Sequence, residues 1–402
     1  MQHYDIRIGG SGARLAYPEH IGPVMPQYFS NARVCFGLLG LTLLGSANAR
    51  PAGVGIRPAT PNYGIDFWRE AEGLPQSRLR AIVQTRDGYI WLGTDNGVVR
   101  FNGASFTAFT VETGSLKDNE VWALQEDNEG ALWIGTYGGG LTRLKDGAFK
   151  TFTTADGLPD DVVTHIDKDS AGNLWISTPG ALCRYSHGVF VNFTKSDGLP
   201  GNNFGAICAR SPDAVFAATA SRVLRFSKGG FEPLKGVVTD QDGAVEKLVC
   251  ASDGSLWIGF SNAVIKRWKA GELTTYSPKH SHTPQVTALY EDPSGGIWAA
   301  FEQRLHKLTN GAFEPVVLDD DKTDLGIVYS MYADREGSIW VGFQSNGLGR
   351  LRVKQLSTLT ARDGLPNDSA RSIFQDGMEP FGSGRPAVSA ALRMAACAPT
   401  PN

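Results

Sequence analysis

The stretch Asp169-Ser-Ala-Gly-Asn-Leu-Trp175-Ile-Ser-Thr178 recurs along the chain. Its siblings are Thr85-Arg-Asp-Gly-Tyr-Ile-Trp91-Leu-Gly-Thr, Asp127-Asn-Glu-Gly-Ala-Leu-Trp133-Ile-Gly-Thr, Ala251-Ser-Asp-Gly-Ser-Leu-Trp257-Ile-Gly-Phe, Asp292-Pro-Ser-Gly-Gly-Ile-Trp298-Ala-Ala-Phe and Asp334-Arg-Glu-Gly-Ser-Ile-Trp340-Val-Gly-Phe. A degenerate copy, Arg210-Ser-Pro-Asp-Ala-Val-Phe216-Ala-Ala-Thr, fills the one gap. The aromatic positions are 91, 133, 175, 216, 257, 298 and 340, separated by 42, 42, 41, 41, 41 and 42 residues. A fixed period of that size points to a β-propeller or a helical array.

The inside of one copy decides between them. Glu120–Asp127 alternates apolar and polar residues, the pattern of a half-buried strand. Asn128-Glu-Gly130 is a turn, opened by an Asp that binds nearby amides and closed by a Gly with left-handed freedom. Leu132–Thr136, Leu141–Leu144 and Phe149–Phe152 read as three more strands, joined by Tyr137-Gly-Gly-Gly140 and Asp146-Gly147. Four short strands leave no room for a helix of useful length. The fold class expected is all-β, a seven-bladed β-propeller of four-stranded antiparallel blades, with the start of an eighth repeat. Trp91, Trp133, Trp175, Phe216, Trp257, Trp298 and Trp340 are then structural, filling the space between neighbouring blades.

A second motif leads into the repeats: Glu72-Gly-Leu-Pro75, Asp156-Gly-Leu-Pro159, Asp197-Gly-Leu-Pro200 and Asp363-Gly-Leu-Pro366, with Thr113-Gly-Ser-Leu116 a relaxed version. Pro fixes one backbone angle and Gly permits an unusual one, so it reads as a rigid crossover from an outer strand to the next inner strand. Copies five to seven lack it. Ile65-Asp-Phe-Trp68 precedes the first inner strand and is expected to complete the seventh blade beside Gly347–Leu351.

Together these motifs resemble the two-component regulator propeller repeat over about residues 63–376. The resemblance implies an extracytoplasmic sensor. Relatives carry two propellers, an immunoglobulin-like domain, a membrane helix and a histidine kinase or diguanylate cyclase output. None of those later parts can be read in this sequence. The resemblance also allows a homodimer of a full-length receptor.

Composition excludes little: the net charge is −3 and the hydrophobic content 42%, without a charge run, which does not suggest nucleic acid or an anionic membrane as partner. The 48 Gly and 21 Pro favour tight turns. Arg33, the apolar run Val34–Leu44 and Ala47-Asn-Ala49 have the layout of a secretory signal peptide, over 25–49 and cleaved after Ala49, giving a periplasmic or otherwise extracytoplasmic protein. Signals lie at the extreme N-terminus, so Met25 is expected to be the true start and residues 1–24 an extension upstream of it. Residues 50–62 read as a linker and 63–361 as the propeller. Cys183, Cys208 and Cys250 sit unevenly within their repeats, so buried free thiols are expected, although an exported protein permits a disulfide.

Residues 362–376 begin a further repeat. Its Trp is due at 382, where Gly stands. One coding of Gly377–Ser383, shifted by a frame, spells Asn-Gly-Thr-Phe-Trp-Val-Gly. The expectation is a frameshift near 377, with 377–402 out of frame and a longer receptor truncated there.

No catalytic arrangement, metal site or cofactor is expected. His280-Ser-His282 lacks a third ligand at a useful spacing. The recurring Asp residues 127, 169, 292 and 334 are turn-formers, and Gly138-Gly-Gly140 lacks the lysine of a phosphate loop. Binding is the stronger expectation. The loops between second and third strands and the crossovers should share one face around the channel. They carry Asp95, Asn96, Asn119, Tyr137, Asp160, Asp161, Asn202, Asn203, Asn262, Gln303, Gln344 and Asn346, which suit a small polar ligand such as a carbohydrate. The alternatives are a lyase resembling the virginiamycin B type, which needs a His/Glu cluster on one face, and a protein-interaction platform.

Overall fold

The computed structural model describes residues 63–353 except 202–203, 278–284, 302 and 319–324. The expectations for the signal peptide, the linker, the further repeat, the tail, His280 and His282 lie outside the described residues. The described chain forms seven four-stranded antiparallel sheets, one per repeat, numbered here as blades 1 to 7 from Trp91 to Trp340. Blade 1 runs from its inner strand Leu79–Gln84 through Ile90–Thr94 and Gly97–Phe101 to its outer strand Phe106–Phe109.

Each inner strand packs on the inner strands of the two flanking blades, so the seven enclose a central channel. The ring closes where the sequence placed the closure. Tyr63–Trp68 pairs antiparallel with Leu348–Val353 as the outermost strand of blade 7, with Ile65 opposite Leu351 and Trp68 opposite Leu348. Asp66 binds Arg350 at 2.9 Å and Arg352 at 2.8 Å across that seam. Trp68 lies against Trp340 and Phe101, whose ring centroids are 5.5 and 5.3 Å away.

The repeated aromatic residue joins one blade to the next. Trp175 of blade 3 packs with Phe204, Ile207 and Val215 of blade 4, and Trp133 of blade 2 with Ile166 and Leu174 of blade 3. In four blades the residue two places after the Trp is Gly, and there the same packing leaves little room for a side chain. A Cβ at Gly135 would lie 2.5 Å from Cγ1 of Val163, two residues before the inner strand of the next blade.

The Asp-Gly-Leu-Pro crossovers are three-residue 3-10 turns at Glu70–Glu72, Thr154–Asp156 and Lys195–Asp197. The acid closes each by accepting a backbone N–H three residues back: Asp156 from Thr153 at 2.9 Å, Asp197 from Thr194 at 2.8 Å. Gly157 ends its turn at φ +98°, a conformation that side chains resist. Leu158 is buried beneath. The crossover into blade 5 lacks Leu-Pro but keeps the acid: Asp242 accepts from the Thr239 N–H at 2.7 Å.

One expectation is corrected. Cys208 and Cys250 form a disulfide, with Cα atoms 5.6 Å apart. They stand on the inner strands of adjacent blades, which the ring sets side by side, whereas counting within single repeats finds no partner. Cys183 is a buried free thiol.

Candidate functional site

Six of the seven inner strands carry a β-bulge at the same place, where the ladder register slips by one residue. The bulged residues are Arg80, Trp122, Gly205, Glu246, Thr287 and Tyr329. In blade 3 the equivalent residue is Thr164, just before the strand. Each stands eleven residues before its blade's aromatic. The residue preceding each of them is buried and apolar: Leu79, Val121, Val163, Phe204, Val245, Val286 and Val328. A bulge re-aims a side chain. Seven positions holding six residue types therefore sit on a repeating frame, at the channel mouth where the crossovers enter.

At the junction of blades 1 and 2 these groups stack. The Arg80 guanidinium lies 4.5 Å from the Trp122 ring centroid, and Trp122 stacks on Tyr137 at 4.6 Å and 20°. Arg80 Nε donates to Asp95 Oδ1 at 2.7 Å, and Arg78 pairs with the other oxygen at 3.2 Å. The indole N–H of Trp122 is buried without a hydrogen-bond partner.

One residue further along each inner strand, five blades place a small residue: Ala81, Ala123, Ala206, Ala288 and Ser330. The other two place His165 and Lys247. Burial, and then the charge of Lys247, push the His165 imidazole down to about 4. Burial lowers Lys247 as well, opposed by Glu246. His165 stands on the inner strand of blade 3 and Lys247 on that of blade 5, the two blades that flank blade 4.

The residues expected at the site divide into groups. Asp95 and Tyr137 join the Arg80–Trp122 stack. Asn119 stands beside Asn96 at 3.5 Å, but its Oδ1 is occupied by the Val111 N–H at 2.8 Å. Asp160 and Asp161 accept the backbone N–H groups of Val162 and Thr154, at 2.9 and 2.8 Å, and so hold the crossover. Asn262 donates to the Gln241 carbonyl at 3.4 Å, and Asn346 is bonded to Arg69 at 2.8 Å and to the Leu325 carbonyl at 3.2 Å. The Gln344 N–H donates to the Ile327 carbonyl at 2.8 Å, and Gln303 is exposed. Asn202 and Asn203 lie outside the described residues. The bulge ring was missed by the loop-based reading. Aligning the copies on their Trp would have shown a column of unlike residues between two apolar ones.

Beside the inner-strand ends of blades 3 to 6 lies a cavity of about 560 Å³, lined by Asp167, Lys168, Arg210, Tyr290, Glu291 and the Cys208–Cys250 pair. Burial pushes the Asp167 carboxyl up to about 6, against the N–H groups of Ala209 and Lys168 that it accepts. Among the described residues no group of three or more His, Cys, Asp or Glu is arranged to hold a metal, and no helix is long and apolar enough to cross a membrane.

The two component regulator propeller family model matches residues 73–96, 115–138 and 157–180. The fold is similar to the extracellular domains of two B. thetaiotaomicron proteins assigned to hybrid two component systems. For BT3049 the TM-score is 0.62 at 18% identity, covering 73% of this chain and 42% of that one. For BT4673 it is 0.58 at 18% identity, covering 72% and 40%. The chain thus spans about two-fifths of their length. It is similar also to virginiamycin B lyase from Staphylococcus aureus, with a TM-score of 0.59 at 16% identity over 73% of this chain and 100% of the lyase. At these identities the likeness is one of fold. No curated protein matches in sequence. The segments that lead into and open blades 1 to 3 thus match the two component regulator propeller repeat, and the other blades have the same four-stranded architecture.

Proposed function

We propose that the chain is the ligand-sensing propeller of an extracytoplasmic signalling receptor, binding a small polar ligand such as a carbohydrate without turning it over. The bulge ring carries this reading: seven equivalent positions hold Arg, Trp, Thr, Gly, Glu, Thr and Tyr where their buried neighbours repeat. The repeat family and the likeness to extracellular sensor domains support it. The Cys208–Cys250 disulfide fits an oxidising compartment and an exported chain.

A lyase is the second reading, favoured by His165 and Glu246 standing at the same channel end. A thermal-shift screen of the full chain against oligosaccharides and other small polar ligands, with product analysis of every hit, separates the two. The sensor reading expects a rise in Tm with the ligand recovered intact. Product formation would overturn it.

A further inference from the structure

Across the ladder from each repeated aromatic residue, the third strand of the blade places a cation, from Arg100 opposite Trp91 to Arg350 opposite Trp340. In five blades that cation has an acceptor from this chain. Arg143 pairs with Glu129 at 2.9 Å, Arg267 with Asp253 at 2.6 Å, Lys307 with Asp292 at 3.2 Å and Arg350 with Asp66 at 2.9 Å. Arg225 reaches the Asp213 carbonyl at 3.4 Å. Arg100 and Arg184 have neither an ion pair nor a side-chain hydrogen bond among the described residues.

Arg100 lines a cavity of about 360 Å³ between blades 1 and 2, at the end of the inner strands away from the bulges. Its guanidinium lies 4.5 Å from the Tyr89 ring centroid, 5.7 Å from Phe109 and 5.9 Å from Trp91. Phe109 continues this apolar floor to Phe149, 5.5 Å away, on the hairpin whose turn holds Asp146. Asp146 is exposed and, among the described residues, has no ion pair or side-chain hydrogen bond. Asp87 stands where Glu129 and Asp253 reach their arginines, but its Oδ1 accepts the Thr85 hydroxyl at 2.6 Å and it forms no ion pair. Glu126 lies 3.7 Å from Arg86.

The junction of blades 2 and 3 has the equivalent cavity, about 330 Å³, and serves as an internal reference. There Glu129 occupies the arginine, and His187 stands in place of Asp146. The first cavity is therefore the one in which the repeated guanidinium is left for an outside acceptor. Its lining carries Arg86 and Arg100 against Asp87, Glu126 and Asp146. A lone anion would meet a surplus carboxylate, whereas a molecule with one charge of each sign matches both.

We propose that the groove between blades 1 and 2 is a binding site for an α-amino acid with an apolar side chain. Arg100 takes the carboxylate, Asp146 the ammonium, and Trp91, Phe109 and Phe149 the side chain. The volume suits a small molecule. This site lies apart from the channel mouth and does not depend on the sensor reading of it.

The test is titration calorimetry of the full chain with L-phenylalanine, N-acetyl-L-phenylalanine and L-phenylalaninamide. Saturable binding of L-phenylalanine is expected, with the derivatives, which lack the ammonium and the carboxylate respectively, about tenfold or more weaker. Arg100→Met and Asp146→Asn should each weaken L-phenylalanine by about tenfold or more. Asparagine tolerates the positive φ of that turn, so Asp146→Asn decides even if Arg100→Met melts early. Arg143→Met, at the reference cavity, should leave binding unchanged. No saturable binding of L-phenylalanine, equal binding of either derivative, or undiminished binding in Asp146→Asn would overturn the proposal. Loss of binding in Arg143→Met equal to that in Asp146→Asn would place the ligand elsewhere and overturn it too.

Discussion

The indole N–H of Trp133 donates to Oδ2 of Asp127 at 2.7 Å, while Oδ1 of the same carboxylate accepts the backbone N–H groups of Glu129 and Ala131. One acid therefore shapes the turn and holds the ring that packs on the next blade. The pairs Asp169–Trp175, Asp292–Trp298 and Asp334–Trp340 repeat this at 3.0, 2.8 and 2.7 Å. Blade 1 substitutes the hydroxyl of Thr85, 3.0 Å from the Trp91 nitrogen.

Asp127→Ala leaves three donors without their acceptor and is expected to cost about 2–4 kcal/mol. Thr85→Ala removes a single acceptor from its indole and should cost nearer 1 kcal/mol. Urea unfolding of both variants checks the difference. Equal losses would mean that the carboxylate is only a turn-former.

Stability against pH should reveal two opposed groups. Asp167 is raised to about 6, so the folded state binds its proton more tightly, and stability is gained as pH falls from about 6 to 4. His165 is lowered to about 4, so stability is lost as pH falls from about 6.5 to 4. His306, also lowered by burial, adds to that loss. Each of the two large effects is at most about 3 kcal/mol. Asp167→Asn should leave a profile that falls with acid, and His165→Gln a shallower fall or a rise. Tm measured from pH 7 to 4 decides; parallel profiles for the two variants would contradict the assignment.

Further into acid a third group enters. Burial pushes Asp292 up, but bonds from Ser294, Trp298 and Gly296 and the charge of Lys307 outweigh it and hold the carboxyl at about 2. Its contribution is present above about pH 4 and lost as pH falls through about 2. Asp292→Asn should flatten the acid limb of the curve.

The disulfide joins residues 42 apart in sequence, so its loss should cost about 2–4 kcal/mol. Cys208→Ser/Cys250→Ser and the reduced wild type are expected to melt at similar, lowered temperatures. A reductant that leaves the wild-type Tm unchanged would show that the bridge is absent in solution.

Lys266 Nζ lies 2.5 Å from Asp242 Oδ2 and 3.2 Å from the Val237 carbonyl, with both charged side chains only 7% exposed. Asp242→Ala strands a buried cation and opens the crossover turn, for about 3–5 kcal/mol. Adding Lys266→Met should recover most of that. Failure to recover would place the cost in the turn rather than the pair.

At the channel mouth, Trp122→Ala should weaken saccharide binding by about 1–3 kcal/mol while unfolding close to wild type, since the ring is only half-buried. Titration calorimetry paired with a melt separates the effects. A fall in Tm matching the loss of binding would mark Trp122 as scaffold.

The sequence by itself determined the number of blades, their four strands, the role of the Trp column and the strand that closes the ring. These follow from local rules of alternation, turn chemistry and a packing contact repeated about every 42 residues, so each copy restates them. Only the tertiary structure decided which unlike residues meet. Arg80 and Trp122 lie 42 positions apart and stack because blades 1 and 2 are neighbours in the ring. Cys208 meets Cys250 because inner strands of adjacent blades lie side by side. The polar loop residues that looked like ligands hold much of their hydrogen-bonding capacity in the crossovers. On the inner strands, by contrast, the Trp122 indole N–H and the His165 Nδ1 are buried without a partner.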